Sequence, residues 1–428
     1  MLSLLLCVVP LLSALSQEPW VPDLPQGLDP IGVIDVSAGE FGIVPLPDSV
    51  HRALRKTFVS YTQVLTPSGA PIHILAQDGW SADQILHARG VLEHLLTNAP
   101  GTRYGADKGP VAEAMAARRA TLALFNTSRD MELALRGELG ELELGIQDLR
   151  ANECPAEGDR DYLAHRTRDA AFEEVLHLVH DYGIRPVLPE YDEALHKANL
   201  ALAKRELWDP WPEDEPENHR NEYFAAAYDN YLDLWARPPT LYEGELLEPE
   251  DLPAGTSHFG HYGANTRAKL LAVDPVGFGL IEDFLPPHLT YTAFLPLDFE
   301  GQFSMRFDAE LVYTHKSQHL TRVELRGKAN ASLLGNDWDN RLKGNGGDNL
   351  LEGGKGDDWL RGGAGDDSIV GGPGRDTAAF EGKAAEYELL TVEGVLRVVD
   401  KQANRDGQDS LSEVETLQFA DGSREVPH

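Results

Sequence analysis

Residues 335–379 read GNDWDNRLK, GNGGDNLLE, GGKGDDWLR, GGAGDDSIV and GGPGRDTAA, five nine-residue units laid end to end without a gap. The later units follow the pattern G-G-x-G-x-D-x-U-x, where U is apolar. Position six is Asn340, Asn349, Asp358, Asp367 and Asp376; position eight is Leu342, Leu351, Leu360, Ile369 and Ala378. The glycines permit backbone angles and close approaches that a Cβ forbids. The apolar eighth residue belongs to a short strand and faces inward. The sixth supplies hard oxygen ligands, and carboxylate-rich, oxygen-only loops suit calcium rather than a transition metal. Strict phase over five units argues against a flexible Gly-rich linker.

These units resemble the RTX (hemolysin-type) calcium-binding family of parallel β-rolls. The resemblance spans residues 331–428, since residues 406–422 (DGQDSLSEVETLQFADG) look like the cap that follows such repeats. It implies that two nonapeptides make one turn, so that units n and n+2 face each other across a calcium ion. The facing pairs are then Asn340 with Asp358, Asn349 with Asp367, and Asp358 with Asp376. The first two units depart from the pattern, with Asn at positions two and six and Trp338 in place of a glycine, so their sites are expected to be weaker or absent. The segment is expected to order at millimolar or lower calcium, the range of extracellular modules.

Composition agrees with a cation binder. The chain has 428 residues and a formal net charge of −33, which argues against nucleic acid or an anionic membrane as partner. Residues 1–16 (MLSLLLCVVPLLSALS) read as a secretory signal peptide, too short to span a bilayer, and predict a secreted, extracellular protein. Cys7 leaves with that segment, so Cys154 is the remaining cysteine and no intrachain disulfide is expected. Asn126 and Asn330 begin glycosylation sequons.

Toward the N-terminus the pattern changes to mixed helix and strand. Residues 17–50 are Pro- and Gly-rich and read as extended. Strands are predicted at 71–76, 121–126 and 142–149, and helices at 81–96 (capped by Ser81), 111–119, 191–208 and 221–235. Residues 240–330 read as mostly β, with strand-like runs at 289–297 and 303–313 and a short helix near 268–284; His258, His261 and His288 there read as structural.

The chemistry of the N-terminal part concentrates in Ala171–Gly183 (AFEEVLHLVHDYG), with Gly183 as the helix-ending residue. At about 100° per residue, Glu173, His177 and His180 share one side of this helix and Glu174 lies a quarter-turn away. Buried carboxylates and imidazoles call for partners. One solution is a metal ion; another is ion pairing among themselves and with Arg166 or Arg168. Zinc peptidases use His-Glu-x-x-His, two ligands with a water-activating Glu between them. Here the stretch is Glu173-Glu174-Val175-Leu176-His177, with a later helix opening Asn221-Glu222-Tyr223-Phe224-Ala225.

This pair of helices resembles the gluzincin metallopeptidases, most nearly the lethal-factor-like group, over about residues 70–235. The resemblance implies Glu174 as general base, Glu173, His177 and Glu222 as ligands of zinc or another divalent ion, and a peptide or protein substrate. Glu173 stands where the family has His, which makes the ligand set harder and more anionic and the bound water less acidic. His177, His180 and Glu222 form the second-ranked ligand set. A di-iron reading of Glu174-x-x-His177 lacks a second Glu-x-x-His. The expected architecture is multidomain: signal peptide 1–16, an α+β zincin-like domain 17–245, a β-rich connecting region 246–330, and the parallel β-roll 331–428. A calcium-dependent binding or adhesion protein on a degenerate zincin scaffold is the rival function.

Overall fold

The computed structural model describes residues 21–209, 219–239, 241–242, 245–246 and 262–426. The expected signal peptide, His258 and His261 lie outside the described residues. No helix among those described is long and apolar enough to cross a membrane.

The N-terminal part is built on a five-stranded sheet, in the order Val44–Pro45, Ser60–Leu65, Pro71–Ala76, Ala120–Phe125, Gly145–Arg150. The first three strands are antiparallel neighbours and the last two join in parallel. Parallel pairing requires a crossover; Ala82–Leu96 and Gly109–Ala117 supply it between the third and fourth strands, and Ser128–Leu135 between the fourth and fifth. Ser81 starts the first of these with a capping box to Gln84. Side chains alternate across the sheet. Ile72, Ile74, Leu122 and Leu124 face the helices, while Leu75, Ala123 and Phe125 join Ile31, Ile34, Leu54 and Phe58 on the opposite face. The Pro-rich lead-in is therefore a cover for one sheet face.

The helix Ala171–Val179 packs on the helical side, against Ala82–Leu96, Arg220–Tyr231 and the strand Gly145–Arg150. Phe172, Val175, Leu176 and Val179 are buried, as their spacing predicts, and Ala225–Ala227 lets the Arg220–Tyr231 helix approach closely. Gly183 does not end this helix. The chain continues through a π turn, His180–Ile184, into Arg185–Val187. A Cβ at Gly183 would come within 2.7 Å of Val111 Cγ1 and 2.9 Å of Met115 Cγ, so packing rather than termination selects glycine there.

The C-terminal part is two seven-stranded sheets of mostly parallel strands, as a β-roll requires. One stacks Ala293–Phe294, Arg322–Glu324, Arg341–Lys343, Trp359–Arg361, Thr377–Ala379 and Thr416–Phe419, closed by the antiparallel Gly422–Glu425. The other stacks Gly301–Ser304, Ala331–Leu334, Leu350–Glu352, Ser368–Val370 and Gln408–Ser412, closed by antiparallel Val395–Asp400 and Tyr387–Val392. Leu342 pairs with Leu360, Leu351 with Ile369, and Leu360 with Ala378. All five position-eight residues have no solvent exposure. Strand pairing thus begins ahead of the repeats, at Ala293. The alternating run 303–313 forms a strand only at its start, because Asp308 and Thr314 tie the remainder into turns and the short helix Thr314–Ser317.

Candidate metal centres

The roll is threaded by a ladder of position-six side chains. Asp358 Oδ1 accepts the backbone N–H of Asn340 at 2.7 Å, Asp367 Oδ1 that of Asn349 at 2.8 Å, and Asp376 Oδ1 that of Asp358 at 2.9 Å. The facing pairs expected from the repeat are brought together. The second oxygens of Asp358, Asp367 and Asp376 are buried and accept no hydrogen bond. A Cβ on Gly353 would lie 2.2 Å from Asp358 Oδ2 and 2.6 Å from the carbonyl oxygen of Gly371, so carboxylate and carbonyl oxygens crowd one point. Burial pushes Asp358 and Asp367 up to about 7 and Asp376 up to about 6, with neighbouring aspartates adding to each shift. Buried carboxylate oxygens without donors are costly, and a hard cation is the partner this oxygen set fits.

The first two units solve the same problem without charge. Asn340 Nδ2 donates to Asn336 Oδ1 at 2.9 Å, and Asn349 Nδ2 to Asn345 Oδ1 at 3.2 Å. Amides at positions two and six therefore satisfy each other. At the far end the ladder runs on into the cap: Asp409 Oδ1 accepts Asp367 N–H at 3.0 Å, and Glu415 Oε2 accepts Asp376 N–H at 2.7 Å. Asp409 is buried and pushed up to about 9 by burial and by Asp367. Asp409-x-Leu411 and Glu415-x-Leu417 carry the acid-x-apolar signature of positions six to eight, a signal hidden by the long insertion before them.

In the N-terminal part, the donor atoms of Glu173, His177 and Glu222 all lie within 4.8 Å of one another. His177 Nε2 is 3.8 Å from Glu222 Oε2, is buried, and has no hydrogen-bond partner. His177 Nδ1 is 3.7 Å from Glu174 Oε2, which accepts a hydrogen bond from Gln147 at 2.6 Å. Burial opposes charge on His177, yet Glu222, Glu174 and Glu173 together raise it to about 10. Burial pushes Glu174 up to about 7 and also raises Glu222 and Asp148. The pocket thus holds more carboxylates than it has cations to match.

One cation is built in. Arg168 donates to Glu173 Oε2 and also faces Glu153, which Arg150 grips through two hydrogen bonds. His180 does not join the cluster: its Nε2 is 2.9 Å from Asp192 Oδ1, and its ring lies edge-on to Phe224. Arg220 holds the other oxygen of Asp192 at 2.6 Å. His288 lies beside the Trp338 ring.

Comparison with known proteins agrees with the ladder. Residues 343–378 match the family model of the RTX calcium-binding nonapeptide repeat, in four copies. The segment is an RTX calcium-binding repeat. No curated protein matches the chain. Among solved structures, the extracellular lipase LipA from Serratia marcescens is similar at 26% identity and a TM-score of 0.19, over 23% of this chain and 16% of the lipase. The chain therefore spans a small fraction of that enzyme's length.

Proposed function

We propose that this is a secreted, calcium-dependent protein whose N-terminal domain is a divalent-metal peptidase of gluzincin type. The observation that carries the reading is the convergence of Glu173, His177 and Glu222 around a buried His177 Nε2 that nothing else engages. The excess of buried carboxylates around it supports a divalent cation at that point. Such an ion, zinc in the first instance, supplies Lewis acidity toward a peptide carbonyl and toward water. Glu174, held by Gln147 and pushed up to about 7 by burial, can accept and return a proton near neutral pH, as a general base must. In the roll, Asp358, Asp367 and Asp376 hold calcium, with Asn340 and Asn349 marking weaker positions.

A second reading is favoured by Arg168. Its guanidinium already neutralises Glu173, which fits a zincin scaffold turned to calcium-dependent binding without catalysis. The full chain, loaded with calcium and zinc, distinguishes the two readings. The peptidase reading expects one metal equivalent lost in His177→Ala, and cleavage of casein or peptides abolished in Glu174→Gln while the metal stays. Metal bound with no cleavage by the wild type supports the second reading. Identical metal content in wild type and His177→Ala overturns the first.

A further inference from the structure

A second cluster lies deeper, apart from both centres. His87, on the inner side of the Ala82–Leu96 helix, is held at both ring nitrogens. Nδ1 is 2.9 Å from Glu157 Oε1 and Nε2 is 3.0 Å from Asp169 Oδ1. Cys154 completes the group: the donor atoms of His87, Cys154 and Asp169 all lie within 4.8 Å of one another. His87, Cys154, Glu157 and Asp169 are each 3% exposed or less. Asp169 Oδ2 also lies 3.0 Å from Nε2 and accepts no well-aligned hydrogen bond. Tyr291 donates to Glu157, and the rings of Phe172 and Tyr291 stand edge-on to the imidazole at 5.8 and 5.9 Å. Lys316 is buried nearby, its Nζ 3.9 Å over the Tyr162 ring and without a hydrogen-bond partner.

We propose that His87 Nε2, Cys154 Sγ and Asp169 bind a zinc-type transition-metal ion, with Glu157 orienting His87 through Nδ1. Sulfur, imidazole nitrogen and carboxylate oxygen are the donors zinc takes, and calcium does not use the first two. Metal bonds of about 2.0–2.3 Å place tetrahedral donors about 3.3–3.8 Å apart; the three donor atoms here lie within 4.8 Å of one another, and Nε2 and Asp169, now 3.0 Å apart, separate slightly to admit an ion. A ligating histidine that gives its other N–H to a carboxylate is the usual supporting arrangement, and Tyr291 fixes that carboxylate in turn. Both oxygens of Asp169 lie 3.0 Å from Nε2, so the carboxylate can offer one or both to an ion there.

Charge bookkeeping agrees. Without metal, an imidazolium and Lys316 balance Glu157 and Asp169 beside a neutral thiol. A dication that displaces one proton from His87 and one from Cys154 leaves the buried net charge unchanged. No electrons move, and both protons go to solvent. Cys154 is sealed from solvent, so no reagent or substrate reaches its sulfur, and its neighbours His87 and Asp169 are the groups its chemistry can involve. Closure on all sides makes this a structural site, filled as the domain folds.

The test uses the full chain produced with zinc and, separately, with cobalt, in calcium buffer. We expect X-ray absorption at the metal edge to show a sulfur scatterer at about 2.3 Å. We also expect a thiolate-to-cobalt charge-transfer band, lost together with one metal equivalent in Cys154→Ser and retained in His177→Ala. The isosteric Cys154→Ser is checked for folding by far-UV circular dichroism, and the wild-type scattering measurement needs no variant. Metal with only nitrogen and oxygen neighbours, or Cys154→Ser with unchanged metal content, overturns the proposal. The His177→Ala arm separates its failure from failure of the peptidase reading.

Discussion

Asp367→Asn should stabilise the roll without calcium and destabilise it with calcium. Asp367 Oδ1 accepts the Asn349 N–H, and an asparagine oxygen preserves that bond. Oδ2 has no donor, so an amide group in its place forfeits no hydrogen bond. What the substitution removes is a buried charge that desolvation, Asp348, Asp366 and Asp406 all oppose, leaving the carboxyl at about 7. The side chain's residue is 2% exposed, so solvent screens it little. The sign follows from the raised value. An unfolded aspartate ionises near 4, so the calcium-free fold is favoured in acid and loses that advantage as pH climbs to about 7. At about 1.4 kcal/mol per unit, the ionised group costs the calcium-free roll at most about 4 kcal/mol above pH 7. With calcium at a hundred times its dissociation constant, a site instead contributes about 2.7 kcal/mol, which the variant forgoes. Hydrogen exchange of peptides spanning 341–379, at pH 8 in EDTA and in calcium, reads both limbs. A variant that exchanges faster than wild type in EDTA would refute the argument that Oδ2 carries uncompensated negative charge.

Two further outcomes test the N-terminal domain. Arg168→Ala strands buried Glu173, while Glu153 keeps its two hydrogen bonds from Arg150, so the metal-free domain should lose about 3–5 kcal/mol in urea unfolding; zinc should restore most of it, and a loss indifferent to zinc would separate Glu173 from the metal site. Gly183→Ala, which in an open helix is worth up to about 1 kcal/mol of stability, should here cost about 1–3 kcal/mol, because its methyl meets Val111 and Met115. Thermal unfolding reads its sign directly.

What the sequence conveyed followed from local periodicity. The repeats announce strand, turn and ligand because each unit repeats its neighbour's contacts; Leu342 through Ala378 fall where their position predicts. The convergence of Glu173, His177 and Glu222 was legible because two short helical motifs carry them. The partners that qualify them were not. Arg168 was one of two nearby arginines, and only packing assigns it to Glu173 rather than to solvent. His87, Cys154, Glu157 and Asp169 come from separate segments with no shared motif, so only tertiary folding gathers them. The leading strands Ala293–Phe294 and Gly301–Ser304 are too short to show a period, and Asp409 and Glu415 sit behind residues 380–407, which break the phase.

The pairing that begins at Ala293 gives the roll a direction. Each rung leans only on its neighbours, so order spreads along it like a closing zipper. Its N-terminal end is fastened to the other domain: Tyr291 lies against Gly90 of the Ala82–Leu96 helix, Thr290 bonds His94, and Arg326 reaches Asp83. If the roll orders only with calcium, as proposed, then without it Leu289, Tyr291, Ala293 and Leu295 lose the scaffold that presses them onto that helix. On the proposed secreted, calcium-dependent reading, calcium would set when the flank of the N-terminal domain is sealed as well as when the tail folds.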